Sequence, residues 1–187
     1  MKRKSLSAIK KTLNFYLKKF KDPQVQKLYR IFSNNLASLN LSDQKIMVGV
    51  SGGADSLSTL FFSQFYALKH KVKLYPVIID HKLREESTTE ALKLKYKLKK
   101  NFNINCKILS KKITKIDKNI QSYARDLRYD LFFKECKKHK INYLLLGHHK
   151  DDLFENFFIR LLRGSGLKGL ISFDKNVSSS NGIKIIR

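Results

Sequence analysis

The run Ile46-Met47-Val48-Gly49-Val50, followed at once by Ser51-Gly52-Gly53-Ala54-Asp55-Ser56, constrains this chain more than any other stretch. A short apolar segment of β character ends in a Ser-Gly-Gly turn, and an amphipathic pattern starts at Asp55. Strand, glycine turn and helix N-terminus together make an anion cradle. Glycine lets the backbone come close, the first helical N–H groups have no internal partner, and the helix dipole adds a favourable field. Ser51 and Ser56 place a hydroxyl on either side as further donors. Asp55 suits an anion site only if a cation joins it, which makes it a candidate Mg²⁺ ligand.

The rest of the chain repeats the same alternation. The 3.6-residue spacing predicts a helix over 55–69, with Leu57, Leu60, Phe61, Gln64, Phe65 and Leu68 on its inner face. A strand follows at 72–79, where Pro76 predicts a bulge or a late start. Ser87-Thr88-Thr89-Glu90 has capping-box spacing at the head of a helix over 87–100. Residues 104–109 read as a short strand and 119–139 as a long helix with Ile120, Tyr123, Leu127, Leu131 and Phe132 inward. Residues 142–147 read as a strand, 150–163 as a helix, and 183–186 as a further short strand. Before the first strand, residues 1–43 are polar and helical in pattern. Asp22-Pro23 caps a second helix bearing Val25, Leu28, Phe32, Leu36 and Leu39, and the lysine-rich segment ahead of it reads as a solvated basic arm. The expected fold is therefore α/β, a doubly wound, Rossmann-like parallel sheet at 44–187 with an N-terminal helical extension at 1–43.

In such sheets ligands gather beyond the carboxyl ends of the strands. Those ends carry Ser51-Gly52-Gly53, Asp80-His81 and Gly147-His148-His149. Three polar clusters at equivalent positions are a stronger signal than any one of them.

Charge narrows the partner. Lys and Arg number 39 against 15 Asp and Glu, a formal net charge of +24, which predicts salt-sensitive attraction to polyanions, nucleic acid first among them. The excess is mostly lysine, so decoration of solvated faces is the competing explanation. Cys106 and Cys136 are far apart and outside any Cys-x-x-Cys pair, and both sit in apolar patterns. Buried thiols in a reducing cytoplasm are expected, with no disulfide framework or cysteine zinc site. No run is long and apolar enough to cross a membrane.

The glycine loop has no Walker lysine and is not Gly-x-Gly-x-x-Gly. Ser-Gly-Gly-x-Asp-Ser after a strand resembles the N-type ATP pyrophosphatases, the PP-loop family. Three further motifs resemble the tRNA(Ile)-lysidine synthases within it. They are Asp80-His81-Lys82-Leu83-Arg84 through Ser87, then Asn119-Ile120-Gln121 with Ala124-Arg125 and Arg128-Tyr129. The last is Gly147-His148-His149-Lys150-Asp151-Asp152 with Glu155 and Arg160-Leu161-Leu162-Arg163-Gly164-Ser165-Gly166. The likeness covers about residues 46–170. Lys82 stands where the family usually has glycine, and Leu153 and Asn156 where glutamine and threonine are frequent. Family members usually continue into tRNA-recognition domains, so the resemblance is to the catalytic domain.

The resemblance implies that ATP adenylates C2–O of the wobble cytidine in an isoleucine tRNA with a CAU anticodon. Free lysine then displaces AMP to leave lysidine. It implies Ser51, Gly52, Gly53, Ala54, Asp55 and Ser56 as the ATP loop, with Mg²⁺ on Asp55. Asp55, His148 and Asp152 are implied as catalytic, and Asp152 and Glu155 as the lysine site. Arg84, Arg125, Arg128 and Arg163 are candidate phosphate or tRNA contacts. A homodimer is compatible with it. Without the motif, the histidine–aspartate cluster would also suit a metal, and Arg125 and Arg128 would suit an exposed helix face. A PP-loop tRNA thiolase and a noncatalytic nucleotide- or RNA-binding module are the rival readings.

Overall fold

A computed structural model describes residues 21–111, 120–147, 176–178 and 182–187. The described elements run α1 (Pro23–Ala37), β1 (Lys45–Val50), α2 (Ala54–His70), β2 (Lys73–Asp80), α3 (Glu86–Phe102), β3 (Lys107–Ser110), α4 (Ile120–His139), β4 (Tyr143–Leu146), β5 (Asn176–Ser178) and β6 (Lys184–Ile186). They form a six-stranded sheet of order β3-β2-β1-β4-β6-β5. Five strands are parallel, as the alternation predicted, and the short β5 adds an antiparallel edge that the sequence did not announce. The strand order reverses between β1 and β4. At that reversal the flanking loops part and leave a crevice at the strand ends.

Strand β1 is central and buried on both faces, with Met47 and Val48 fully enclosed, hence its continuous apolar run. On one side lie α2 and α3. On the other, α4 packs Phe132 and Cys136 against Met47, Leu144 and Leu146. The approach is close at Gly49, where a Cβ would stand 2.6 Å from the Leu146 side chain and 2.8 Å from the Phe132 ring.

Helix α1 begins as predicted. The Asp22 carboxylate accepts from the N–H groups of Gln24 and Val25 at 2.8 and 3.4 Å, and Pro23 opens the first turn. Its contact with α2 is aromatic: Tyr29 meets Phe65 edge-on at 4.9 Å between centroids and Phe62 at 5.9 Å, and Phe32 meets Phe62 at 5.6 Å.

Several expectations are corrected by packing. Leu28 and Leu68 are about half exposed because each lies off the stripe that meets a neighbour, and Ile120, the first residue of α4, is half exposed as well. The buried stripe of α2 is Ser56, Leu60, Ser63 and Tyr66, since small residues let the helix sit close to the sheet. Pro76 causes no bulge. The ladder to β1 runs unbroken through Val48↔Pro76, and β3 pairs only from Val77 onward, so the missing N–H leaves no partner wanting. Helix α3 starts at Glu86, before the expected capping box. The Ser87 hydroxyl accepts from the Arg84 N–H at 3.2 Å instead of capping the helix, and Thr88 turns to Asp80. Strand β3 is shorter than read, beginning at Lys107, although Ile104 and Cys106 are buried as expected. The helix expected at 150–163 lies outside the described residues.

Candidate nucleotide site

The glycine loop is organised by one hydroxyl. Ser56, 4 % exposed, accepts from the N–H groups of Ser51 (3.2 Å) and Gly52 (3.1 Å), stands 3.0 Å from the Ser51 hydroxyl, and donates to the Gly53 carbonyl at 3.0 Å. Its proton is used inside the loop. The residue read as an anion donor is, in this structure, the one that shapes the cradle. Gly52 needs its glycine, with φ +94° and the Leu94 side chain 3.2 Å from where a Cβ would be. Gly53 has ordinary φ and only the Ser51 hydroxyl near, at 3.8 Å, so no protein group claims the space beside it. Beyond Gly53 the first-turn N–H groups of Ala54 and Asp55 have no intrahelical acceptor, and Gly53 supplies no side-chain cap. These are the free donors of the cradle.

From β4 the chain closes tightly on this loop. A Cβ on Gly147 would lie 2.7 Å from the Asp55 carbonyl oxygen and from Ser56 N and Cα. Glycine at that position lets β4 seat the head of α2 next to the strand reversal.

A cleft of about 500 Å³ opens here, between the ends of β1, β2 and β4 and the flanks of α3 and α4. The end of β2 contributes a fixed polar corner. Asp80, 2 % exposed, accepts from the Lys82 N–H at 3.0 Å and from the Thr88 hydroxyl at 2.7 Å. Beside it His81 faces Arg128 of α4, with Nε2 3.4 Å from Nη2, while its Nδ1 is buried without a partner among the described residues. Burial pulls the His81 pKa below its ordinary value. Arg128 pushes the same way, and the Asp80 charge only partly offsets them, so the ring is neutral at pH 7. Arg128 is itself partly desolvated, which lowers its pKa, yet a guanidinium stays charged. Arg84 stands at the outer lip, exposed, 3.6 Å from Glu90.

Of the predicted site residues, the structure therefore brings Ser51, Gly52, Ser56, Arg84 and Arg128 to one cleft. Gly53, Ala54 and Asp55 continue from it along the head of α2. Arg125 does not line the cleft; it is exposed, with its guanidinium 5.6 Å from the Tyr129 ring centroid. His148, Asp152, Glu155 and Arg163 lie outside the described residues. The sequence reading had not singled out His81, Glu90 or Thr88 as site residues. The Asp80-His81 cluster at a strand end was the signal for the first. The other two are ordinary helix residues in sequence and reach the site only through the placement of α3.

Among the described residues no group of three or more His, Cys, Asp or Glu gathers around a metal. Mg²⁺ that comes with a nucleotide needs only one or two carboxylates beside phosphate oxygens and water. Exposed Asp55 in the first turn fits that mode.

An open parallel sheet with a glycine cradle and cationic side chains at its strand reversal defines a nucleotide-binding α/β protein. The match to the PP-loop domain model over residues 21–187 is more specific, and the chain belongs to that family. It is 42 % identical over 143 residues to the tRNA(Ile)-lysidine synthase of Orientia tsutsugamushi, covering 76 % of this chain and 32 % of that protein. To the Rickettsia prowazekii protein of the same name it is 38 % identical over 162 residues, covering 86 % and 37 %. The chain thus spans about a third of the length of the curated relatives it matches. A solved structure, the U34-tRNA thiolase NcsA of Methanococcus maripaludis with its iron–sulfur cluster, aligns with a TM-score of 0.67 at 19 % identity over 86 % of this chain and 59 % of that one. That likeness is one of fold.

Among the described residues no helix is long and apolar enough to cross a membrane.

Proposed function

We propose that this chain carries the chemistry of a tRNA(Ile)-lysidine synthase, joining lysine to C2 of the wobble cytidine in a CAU anticodon at the expense of ATP. The observation that carries the reading is the cleft in which the glycine cradle, Arg84 and Arg128 meet at the strand reversal, in a chain whose relatives bear that name. The catalytic part is residues 44–187, with α1 docked on it through the Tyr29 cluster.

In the first step the cytidine C2 oxygen attacks the α-phosphorus and the α–β P–O bond breaks. Pyrophosphate leaves against the free N–H groups of the cradle and the two arginines, which would stabilise its charge. Mg²⁺, when bound, neutralises phosphate charge, and Asp55 is the residue that would hold it. In the second step a neutral lysine amine attacks C2, AMP leaves, and the amine loses a proton. A carboxylate serves both to recruit the ammonium and to take that proton. Asp152 and Glu155 are proposed for it, with His148 beside them, and Arg125 and Arg163 as tRNA contacts. A cytoplasmic setting and a homodimer belong to the same reading.

A thiolase is disfavoured by the two thiols. Cys106 and Cys136 are buried, and burial pushes them up to about 11 and about 12, far from the reactive thiolate that sulfur transfer needs.

The test is an assay with ATP, Mg²⁺, radiolabelled lysine and CAU-anticodon tRNA(Ile). Label should enter that tRNA, with AMP and pyrophosphate released, and should not enter a tRNA with a different wobble base. Nucleotide binding without AMP release would replace this reading with a noncatalytic module. Asp55→Ala and Asp152→Ala should each abolish turnover while leaving the thermal transition in place.

A further inference from the structure

Helix α3 carries its charges at two ends. Glu85, Glu86 and Glu90 sit where it borders the cleft, and from Ala91 to Asn103 it has five lysines and no acid. Ala91 and Leu98 are buried against the sheet, which turns Leu92, Lys93, Tyr96, Lys99 and Lys100 outward. Two of these are not what a solvated face requires. Leu92 is 54 % exposed and Tyr96 64 % exposed, and Lys100 holds its ammonium 5.7 Å from the centre of the Tyr96 ring.

We propose that this outer face of α3 is an RNA-binding surface, on which Tyr96 stacks a base or ribose while Lys93, Lys99 and Lys100 hold the flanking phosphates. The inference rests on the RNA-modifying reading above in taking RNA as the polyanion.

Three arguments support that occupant. An exposed ring set among lysines is the pairing that single-stranded RNA uses, stacking with the ring while cations follow the backbone. The helix that carries this surface also borders the cleft, which Ser87, Glu90, Ala91 and Leu94 of its first turns line from the inner side. From Glu90 to Lys100 the helix runs about 15 Å, room for nucleotides next to a base held in the cleft. Other occupants fit less well. Leu92 and Tyr96 form too narrow an apolar strip for a membrane-lying helix, which needs a whole apolar face. The same face of a second copy would bring its lysines against these lysines.

The experiment measures binding of a fluorescein-labelled anticodon stem-loop RNA with a CAU loop to the full chain across a salt series. Tyr96→Ala should weaken binding about tenfold, and Tyr96→Phe should keep wild-type affinity. Lys93→Gln combined with Lys100→Gln should lower the slope of log K against log salt by about 2. All these positions are exposed, so the circular dichroism spectrum and melting temperature should not move.

Wild-type affinity and slope in both the alanine and the double-glutamine variants would overturn the proposal, as would lysine-dependent binding to phosphatidylglycerol vesicles in place of RNA. The lysine-incorporation assay on the wild type separates this from the enzymatic reading. Incorporation with unchanged binding in the variants removes the surface and leaves the enzyme. RNA binding through α3 without AMP release removes the enzyme and leaves the surface.

Discussion

Arg128 points its Nη2 at the Nε2 of His81, 3.4 Å away, across the floor of the cleft. The contact joins the end of β2 to the middle of α4 and holds a cation where phosphates are expected. It works only while the ring is neutral and can accept. His81→Ala should therefore lower kcat about tenfold, within the range a misplaced positioning group costs, and His81→Gln should restore most of it. The pH sign follows from the depressed pKa of the histidine. Above its ordinary value near 6.5 the contact is fully present in both activity and stability. As pH falls below that value the unfolded chain takes the proton first, so stability is lost toward acid, and a protonated ring then repels Arg128. A pH series of melting temperature should show this acid-side loss shrinking in His81→Gln.

The same substitution at Gly147 and at Gly53 should differ in its effect on stability. Gly147→Ala drives a methyl to 2.7 Å of backbone atoms of Asp55 and Ser56, which have no room to give. It should destabilise the domain by about 1–3 kcal/mol and weaken ATP binding, read by chemical denaturation and calorimetry. Gly53→Ala meets only ordinary contacts. It should leave stability within about 0.5 kcal/mol yet impair ATP binding, because the methyl enters the space beside the free N–H donors.

Removing the Ser56 hydroxyl leaves the N–H groups of Ser51 and Gly52 without the acceptor they share. Ser56→Ala should lose about 1–3 kcal/mol in urea unfolding. ATP affinity should drop with it, since the same oxygen sets the curvature of the loop. Wild-type stability in this variant would show that the loop holds its shape without the hydroxyl.

Lys82 is in the left-handed region at φ +50°, held there as its N–H donates to Asp80. This is the position where the family usually has glycine, and the backbone explains why. Lys82→Gly should raise stability by up to about 1 kcal/mol, seen as a higher melting temperature without a change in turnover.

Glu135 is buried between Lys107 and His139, the latter 2.9 Å away. Burial alone would raise its pKa, but the hydrogen bond and charge of Lys107, with His139, outweigh it and hold the carboxyl below its usual value. Its contribution to stability is present above the ordinary carboxylate pKa and is lost as pH falls through the depressed one. Glu135→Gln should flatten that acid limb of the stability curve while leaving ATP binding intact, the residue being outside the cleft.

Local pattern was enough for the alternation of strand and helix, the cap at Asp22, the glycine cradle and the polar strand ends. Each depends on residues within a few positions of one another: apolar period, a side chain bonding the next turn, a glycine at a positive φ. The errors fell where one helix meets two neighbours. Leu68 and Leu28 fit an apolar face by spacing and are exposed, while Ser56 and Ser63 are buried, because closeness to the sheet favours small side chains over apolar ones. Ser87 had the spacing of a capping box with Glu90 but accepts from the Arg84 N–H, while Thr88 beside it bonds Asp80, eight residues back, a partner that only the β2–α3 turn supplies. The sequence by itself determined the family, the α/β class and the anion loop, since these are written in short-range order. Only the tertiary structure decided that Ser56 shapes the loop from within, that His81 faces Arg128 forty-seven residues away, and that Gly147 closes on α2. Those relations are set by how parallel strands and their helices stack, and no local period encodes which side chains then meet.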